Sequence, residues 1–333
     1  MSGPIGAAIV GLGWWGRHIL RSLAGSTMLR VVRLVDPAVE AARPLAAQHG
    51  LPLSADLAEA LADPAVQAVI LCTPQNLHTA QVLAAAAAGR HVFCEKPLAM
   101  TRADAERSVE ACRQAGVVLG VGHERRFEPA MRRLREVLRA GRLGTLLHIE
   151  ADFSHDKLTH LKPGDWRADP RYPAAHTGMG IHLTDAVLDL AGAVEEVYAL
   201  AGRLVSEREN GDLVSVALRC RSGATAFVSA ILETPLYIAM RVFGSLGWAE
   251  IRNTSHPDTP GPSTLTLRFR GGAEEREDFA WEDAVRLNLE AFARAIRGEA
   301  PYPFSDAEKI GNIAILEAIA ESVATRRAVT IAP

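Results

Sequence analysis

Short hydrophobic runs alternate with alanine-rich stretches through the first third of the chain. The runs predict strands at residues 5–10, 31–35, 67–72, 91–94 and 117–121. The intervening stretches predict helices near residues 15–24, 38–49, 55–62, 76–88 and 102–115. Strands that are apolar along their whole length are buried on both faces, so this alternation predicts a doubly wound α/β domain with a parallel sheet.

The pattern changes after about residue 124, where strands begin to follow one another without intervening helices. Strand runs are predicted at 145–153, 195–203, 212–220, 224–232, 237–243, 247–252 and 263–270, and helices at 129–140, 181–191, 282–297 and 305–326. Consecutive strands indicate an α+β domain with a largely antiparallel sheet. We therefore expect two domains, 1–123 and 124–333, with the last helix a candidate to pack back on the first domain.

Composition and charge narrow the function classes. The chain has 333 residues, of which 48% are hydrophobic and 23% charged, with a formal net charge of −3. This balance is typical of a globular protein and gives no basic excess for nucleic acid or an anionic membrane. The four cysteines lie far apart without metal-ligand spacing, and no basic leader opens the chain. We expect a cytoplasmic protein with reduced thiols and no metal.

A glycine motif stands where the first predicted strand passes into the first helix. It reads Gly11-Leu12-Gly13-Trp14-Trp15-Gly16, and Asp36 ends the second strand 20 residues after Gly16. In a Rossmann domain such glycines allow a tight turn, a close approach to a pyrophosphate and close helix packing. The aspartate binds ribose hydroxyls and repels a 2′-phosphate. The motif therefore predicts dinucleotide binding, with NAD favoured over NADP.

Two further motifs follow the third and fourth of these strands. Thr73-Pro74-Gln75-Asn76-Leu77-His78 comes after the run 67–72, and Cys94-Glu95-Lys96-Pro97 ends the run 91–94. Both stand at the carboxyl edge of the sheet, where ligands bind in open α/β folds. Ordinary structural roles stay open: Asn76 as a helix cap, His78 as a helix histidine, and Lys96 with Glu95 as a surface ion pair.

Together with Gly178-Met179-Gly180-Ile181-His182-Leu183-Thr184-Asp185, these motifs resemble the Gfo/Idh/MocA oxidoreductase family over nearly the whole chain. The resemblance implies a Rossmann domain joined to a C-terminal α+β domain with an open, mostly antiparallel sheet. It also implies that Lys96 is the catalytic-site lysine and that Thr73, Pro74, Asn76, His78 and Glu95 lie around the cofactor. Trp14 and Trp15 join this set as the residues between the motif glycines. Family members oxidise or reduce a hydroxyl or carbonyl carbon of sugars, inositols and related cyclic compounds.

The second-domain motif departs from the family pattern at one position. Family members usually carry D-x-G-x-H-x-x-D, whereas this chain has Gly178 where the first aspartate is expected. His182 and Asp185 match the pattern. Since the ordinary pKa of histidine lies near neutrality, His182 is the candidate proton acceptor for a substrate hydroxyl. His176, Asp165 and Asp169 are candidates to replace the missing carboxylate.

Polar residues before and around this motif are candidate substrate contacts. They are Arg125, Arg126, Asp165, Trp166, Arg167, His176 and Asp185. Arg125 or Arg126 suits an acidic substrate group, because a guanidinium binds a carboxylate through two hydrogen bonds. Interdomain ion pairs are the alternative role for these two arginines.

The sequence therefore predicts an NAD-dependent oxidoreductase acting on the secondary alcohol or ketone of a cyclic polyol, a sugar derivative or a carboxylated cyclic diol. The last class is like the substrates of dihydroxyphthalate or dihydrodiol dehydrogenases. A non-catalytic NAD-binding regulator and an NAD-assisted glycoside-cleaving enzyme are the alternatives. The runs at 224–232 and 237–243 are apolar on both alternations, which predicts a homodimer or homotetramer formed by the second sheet.

Overall fold

The computed structural model describes residues 3–156, 167, 169–207 and 209–333. The described helices are α1 (Trp14–Leu23), α2 (Val39–His49), α3 (Leu57–Ala62), α4 (His78–Ala87), α5 (Arg102–Gln114), α6 (Pro129–Arg139), α7 (Ile181–Ala191), α8 (Ala284–Ile296) and α9 (Asp306–Thr325). The described strands are β1 (Ile5–Val10), β2 (Leu29–Val35), β3 (Leu53–Ser54), β4 (Ala68–Leu71), β5 (His91–Cys94), β6 (Leu119–Val121), β7 (Leu146–Ser154), β8 (Val194–Gly202), β9 (Leu213–Cys220), β10 (Thr225–Ile231), β11 (Tyr237–Gly244), β12 (Gly247–Asn253), β13 (Ser263–Phe269), β14 (Glu274–Phe279) and β15 (Val329–Thr330).

The chain divides into two compact units. Unit 1 comprises Met1–Glu124 and Val285–Ile310, and unit 2 comprises Arg125–Ala284 and Gly311–Pro333. This division differs from the linear one expected from the sequence, because the segment containing α8 belongs to unit 1. Phe292 of α8 packs edge-on against Phe93 of β5 with ring centroids 5.6 Å apart, and both rings are fully buried. Burial of this aromatic pair stabilises the attachment of α8 to the first sheet.

Unit 1 has a six-stranded parallel sheet in the order β3-β2-β1-β4-β5-β6. This is the strand order of a dinucleotide-binding Rossmann domain, so the predicted doubly wound sheet is confirmed. β1 and β4 are buried along their whole length, as their uninterrupted apolar sequences require. The sequence analysis missed β3, a two-residue edge strand too short to leave a pattern.

Unit 2 has a nine-stranded sheet in the order β14-β13-β12-β11-β7-β10-β9-β8-β15. The pairs are antiparallel except for β7 with β10, which confirms the predicted mostly antiparallel sheet. Its core joins one face of the sheet to apolar residues of α6, α7 and the second half of α9. The sequence analysis missed β14, whose charged sequence EEREDF lacks an apolar alternation.

Helix starts follow the capping rules. Ser305 Oγ accepts a hydrogen bond from the Glu308 N–H at 3.2 Å, and Glu308 Oε2 accepts one from the Ser305 N–H at 2.8 Å. Thr101 Oγ1 accepts the Asp104 N–H at 3.2 Å. Ser305 and Thr101 therefore cap the starts of α9 and α5. Among the described residues, no helix is both long and apolar enough to cross a membrane.

Candidate active site

The glycine motif forms a tight turn between β1 and α1. Gly11 has φ +90°, and a Cβ there would lie 2.8 Å from the carbonyl oxygen of Cys72. A Cβ on Gly16 would collide with the carbonyl oxygen of Gly11. Only glycine fits at both positions, because α1 and the ends of β1 and β4 approach one another too closely there to leave room for a Cβ.

Gly13 has the opposite surroundings. Apart from Gly13 itself and its two chain neighbours, no described residue has an atom within 4 Å of the position that its Cβ would take, and no side chain caps the start of α1. The helix therefore begins with backbone N–H groups beside open space, which is the arrangement that binds a pyrophosphate. The loop fits the dinucleotide predicted from the sequence.

Asp36 fixes the glycine loop through hydrogen bonds to backbone N–H groups. Its Oδ2 accepts a hydrogen bond from the Leu12 N–H at 2.7 Å, and its Oδ1 accepts one from the Ala38 N–H at 2.9 Å. A carboxylate has about four lone-pair sites, so two remain for ribose hydroxyls. The sequence indicated a ribose-binding residue here and gave no sign of the bond to Leu12.

Trp14 and Trp15 begin α1 and form an aromatic group with His18. The ring centroids of Trp15 and His18 are 4.9 Å apart with nearly parallel planes, and those of Trp14 and Trp15 are 5.2 Å apart. The Trp14 side chain is 58% exposed, whereas Trp15 is half-buried. The exposed indole of Trp14 thus stands beside the open space at Gly13.

His78 joins the two loops at the carboxyl edge of the sheet. It is fully buried, with Nδ1 2.7 Å from the Pro97 carbonyl oxygen and Nε2 3.0 Å from the Thr73 carbonyl oxygen. Burial lowers its pKa against the opposing effect of these two carbonyl groups. We assign it to positioning Thr73 and Pro97, since both ring nitrogens face backbone. Asn76 is exposed, and Pro74 is half-buried.

Glu95 and Lys96 follow β5, with Glu95 buried and Lys96 half-buried. The carboxyl group of Glu95 fills the space beside Gly122, where a Cβ would collide with it. Burial, together with the nearby charge of buried Glu124, raises the pKa of Glu95 to about 8. The Lys96 N–H donates to Glu95 Oε2 at 3.3 Å. The neutral form of Glu95 is therefore favoured near pH 7.

Glu124 is a site residue that the sequence analysis missed. It lies three residues after the end of β6, just as Glu95 directly follows β5, and these two strands are neighbours. The sequence signal that could have identified Glu124 was a second carboxyl group after the carboxyl end of the neighbouring parallel strand.

His182 lies at the second position of α7 and is 5% exposed. It borders a small cavity of about 10 Å³ within unit 2, with polar neighbours Arg125 and Asn253 and an otherwise apolar lining. Its ring centroid lies 6.1 Å from that of Phe153, whose ring also lies 4.8 Å beneath the Arg125 guanidinium. The structure thus brings the predicted proton acceptor and one predicted substrate contact to the same pocket.

Arg126 and Asp185, also predicted as substrate contacts, pair with each other instead. Arg126 donates from Nε to Asp185 Oδ2 at 2.8 Å and from Nη2 to Oδ1 at 2.7 Å. Both residues are 3% exposed and belong to unit 2, so this is not the interdomain pair considered above. Asp189 extends the network, 3.5 Å from Arg126 and 2.9 Å from Arg135. We assign the pair to holding α7 in place.

The other predicted substrate contacts are scattered. His176 is fully buried in the π-helical turn His176–Gly180, with its Nδ1 2.7 Å from where a Cβ on Gly180 would lie. The Arg167 carbonyl oxygen accepts a hydrogen bond from Asn210 at 2.8 Å. Asp169 pairs with Arg171 at 2.6 Å. Asp165 and Trp166 lie outside the described residues.

Two residues of unit 2 next to the pocket were also missed. Asn253 ends β12 beside Arg125, and His256 follows in the β12–β13 connection with its Nδ1 2.5 Å from Asp258 Oδ1. The available signal was a histidine and an aspartate separated by one proline in a short turn. Within the described ranges, no group of three His, Cys, Asp or Glu residues is arranged to hold a metal ion.

Comparison with known proteins identifies the family. Residues 5–123 match the GFO/IDH/MocA oxidoreductase family model with an NAD-binding Rossmann fold, and residues 131–250 match the GFO/IDH/MocA C-terminal domain.

Individual relatives agree over most of the chain. The chain is 31% identical to 1,5-anhydro-D-fructose reductase from Ensifer adhaerens, covering 99% of this chain and 98% of that protein. It is 33% identical to 4-carboxy-2-hydroxymuconate-6-semialdehyde dehydrogenase from a Sphingobium species, covering 67% and 70%. The crystal structure of an aldose-aldose oxidoreductase from Caulobacter crescentus, complexed with glycerol, superposes with a TM-score of 0.87 at 26% identity, covering 98% and 99%. The protein belongs to the GFO/IDH/MocA family of oxidoreductases and is an NAD(P)-dependent dehydrogenase or reductase acting on CH–OH groups.

Proposed function

We propose that this protein interconverts a secondary alcohol and a ketone on a sugar derivative, a cyclic polyol or a carboxylated cyclic diol, using NAD in preference to NADP. Unit 1 binds the dinucleotide and unit 2 binds the substrate. The observation that carries the proposal is the open backbone at Gly13, beside a glycine loop that Asp36 fixes through Leu12. That carboxylate places a negative charge where NADP has its extra phosphate.

The protein's own groups have separate tasks. The glycine loop and Asp36 would hold NAD⁺, which would supply the hydride acceptor needed to oxidise the carbinol carbon to a ketone. His182 takes the hydroxyl proton, which its position at the pocket of unit 2 supports. Lys96 lowers the energy of the developing alkoxide with its ammonium charge. Burial and the nearby charge of Glu124 favour the neutral form of Glu95, which in that form does not offset the ammonium charge.

The names of the relatives support the substrate class. An anhydrofructose reductase and an aldose-aldose oxidoreductase both have sugars in their names, and the muconate-semialdehyde dehydrogenase has a carboxylated compound. We place sugars and polyols first because the chain covers nearly all of both sugar-named relatives.

The test is turnover of a substrate panel with NAD⁺ and with NADP⁺, followed by the absorbance of the reduced cofactor. The panel contains aldoses, inositols, anhydrosugars, sugar acids and cyclic dihydrodiols. Oxidation of one class with NAD⁺ preferred is the expected result. If no class is oxidised and the corresponding ketones are not reduced, although NAD binds, the proposal is wrong.

The second sheet is the proposed surface for a homodimer or homotetramer. Large apolar side chains stand exposed on the strands of unit 2, including Phe227 (58%), Leu200 (54%) and Leu147 (52%). Exposed apolar patches are typical of association sites. Sedimentation at micromolar concentration tests this assembly, and a monomer would contradict it.

A further inference from the structure

β6 is the edge strand of the sheet in unit 1, and its last residue, Val121, is 2% exposed. The Gly122 N–H donates to the Cys94 carbonyl oxygen, at the end of β5, at 2.9 Å. Because successive residues of a strand present their peptide groups to opposite sides, the N–H and C=O of Val121 face away from β5. Buried backbone groups on the outer side of an edge strand need partners from elsewhere in the chain.

Asn288 of α8 and Tyr302, which follows α8, supply these partners. The Val121 N–H donates to Tyr302 Oη at 3.0 Å, and Asn288 Nδ2 donates to the Val121 carbonyl oxygen at 2.9 Å. Tyr302 Oη donates to Asn288 Oδ1 at 2.7 Å and thereby closes a cycle of three hydrogen bonds, which we call the Val121 ring. Asn288 is 1% exposed, and all three residues belong to unit 1.

The Val121 ring supplies a directional contact that the apolar packing of α8 lacks. Phe292 of α8 packs against Phe93 and attaches the helix to the sheet. Apolar contact is non-directional, so it fixes the end of β6 only weakly along the strand axis. Hydrogen bonds to both the N–H and the C=O of one residue depend on distance and angle, and they therefore fix both the position and the rotation of the strand end.

The position of this strand end matters because Gly122 follows it. A Cβ on Gly122 would collide with the Glu95 carboxyl group, so the Gly122 backbone forms one wall of the space that this buried group fills. Glu95 Oε2 in turn accepts the Lys96 N–H at 3.3 Å. Close contact thus runs from Val121 through Gly122 and Glu95 to the backbone of Lys96, and close-packed groups transmit a displacement.

We propose that Asn288 and Tyr302 are positioning residues for the reaction, because by holding both backbone groups of Val121 they fix Gly122 against Glu95 and thereby fix Lys96. This inference rests on the proposed function, which assigns Lys96 to the developing alkoxide. It gives the segment that returns to unit 1 a part in turnover besides its part in stability.

The first test measures kcat, KM and NAD affinity in two variants, with the alcohol that the substrate panel identifies. Tyr302→Phe keeps the aromatic ring but leaves the Val121 N–H without its acceptor, and kcat should fall about 10-fold through misplacement of Lys96. Asn288→Leu should cost less, because the Tyr302 hydroxyl also lies 3.0 Å from the Val121 carbonyl oxygen and can donate to it. NAD affinity should change less than about twofold in both, since Gly13 and Asp36 belong to other strand ends.

The second test places Tyr302→Phe in a Glu95→Gln background. If the effect of Tyr302 reaches Lys96 through the Glu95 carboxyl group, the loss of kcat from Tyr302→Phe should shrink to less than about threefold in this background. A loss of the same size in both backgrounds would show that the two residues act independently. That result would overturn the inference.

The pH dependence of kcat is a third readout, which a purely structural role would not move. The groups that act on the Glu95 carboxyl are Glu124, Lys96 and the Trp15 indole, and the thiols of Cys72 and Cys94 lie within range of its charge. Burial raises the pKa of Glu95 to about 8. A shift of Gly122 admits water and lowers that pKa, and ionised Glu95 offsets the Lys96 charge. The alkaline decline of kcat should therefore begin at lower pH in Tyr302→Phe.

Val109→Ala is the matched control. Val109 is buried on α5 in unit 1 and takes no part in the Val121 ring, so its truncation should lower the melting temperature and leave kcat and its pH profile unchanged. If Tyr302→Phe and Asn288→Leu behave like this control, the inference is wrong and the proposed function stands. If Tyr302→Phe does not fold, the milder Asn288→Leu decides alone. Absence of turnover by the unmodified protein, or full turnover by Lys96→Ala, overturns the proposed function itself.

Discussion

In unit 1 the candidate site residues directly follow strand ends, whereas in unit 2 they come from segments far apart in the chain. Gly11, Asp36 and Lys96 lie within a few residues of β1, β2 and β5, so the parallel sheet alone brings them to one edge. The pocket of unit 2 combines Arg125, His182 and Asn253 from before α6, the start of α7 and the end of β12. Backbone geometry thus defines the first site, and side-chain partners define the second.

This difference predicts which substitutions act on chemistry and which on stability. In unit 1 a polar residue at a strand end is presented to the open edge, with buried His78 and Glu95 supporting it. In unit 2, charged residues near the pocket also form ion pairs with each other, as Arg126 and Asp185 do. In unit 2, closeness in sequence to a catalytic motif therefore predicts a residue's role in catalysis less well than it does in unit 1.

The largest expected effect is on turnover. Lys96→Ala and His182→Ala should each lower kcat by about two to four orders of magnitude, the usual scale for electrostatic and acid–base groups. NAD affinity should change little, since neither group is assigned to the adenosine or pyrophosphate. The double variant should lose less than the sum if both act on one transition-state charge. Full turnover in both single variants would contradict the assignment; His49→Ala, at the exposed end of α2, is the control.

Asp185→Asn should mainly affect stability. Loss of one partner leaves the buried Arg126 guanidinium poorly compensated, which costs about 3–5 kcal/mol in comparable buried pairs. Urea unfolding measures this loss. Glu40→Gln breaks the exposed pair with Arg43 and should leave stability nearly unchanged. If Asp185→Asn kept its stability but had a raised KM, Asp185 would be assigned to substrate contact after all.

Two glycines of the loop, Gly13 and Gly16, should respond differently to substitution by alanine. Gly16→Ala forces a Cβ onto the Gly11 carbonyl and should cost about 1–3 kcal/mol of unfolding free energy. Gly13→Ala meets open space, so stability should be kept while NAD affinity falls because the methyl group occupies the pyrophosphate position. Thermal melting and NAD titration of the two variants measure the contrast. Equal effects on both properties would show that the loop is only structural.

The pKa of Glu95 predicts a pH dependence of stability. The folded protein keeps this carboxyl protonated up to about pH 8, whereas the unfolded chain ionises near 4.5. The folded state therefore binds more protons in this window, and stability should fall as pH rises through it, by at most about 1.4 kcal/mol per pH unit for one proton.

Glu95→Gln removes this titration and should flatten the decline. Urea unfolding between about pH 5 and pH 8 measures both slopes. An identical slope in the variant would assign the titration to another group, and Glu59→Gln, on the surface of α3, serves as the matched control.

The smallest expected effect is on cofactor choice. Asp36→Asn keeps an oxygen to accept the Leu12 N–H but removes the negative charge, so the preference for NAD over NADP should narrow by about tenfold. Asp36→Ala loses both and should also weaken NAD binding. Titration with each dinucleotide checks this, and equal affinity of the unmodified protein for NAD and NADP would contradict it.

The sequence by itself determined the two sheets, their parallel and antiparallel character, and the dinucleotide loop. Apolar periodicity reports which strand faces are buried, and glycine is required wherever two backbones meet too closely for a Cβ. These properties depend on residues close together in the chain. The sequence did not predict the short edge strand β3 or the charged strand β14, because backbone pairing forms both without an apolar pattern.

Only the tertiary structure decided how charged and polar side chains near the sites are used. It paired Arg126 with Asp185, turned His78 toward two backbone carbonyls, and joined Asn253 and His256 to the surroundings of His182. The same residue types serve catalysis, ion pairs and helix caps, and the partner that decides between these roles lies as far as 59 residues away for Arg126. Long-range packing selects the partner, because the cost of burying a charge depends on what surrounds it in three dimensions.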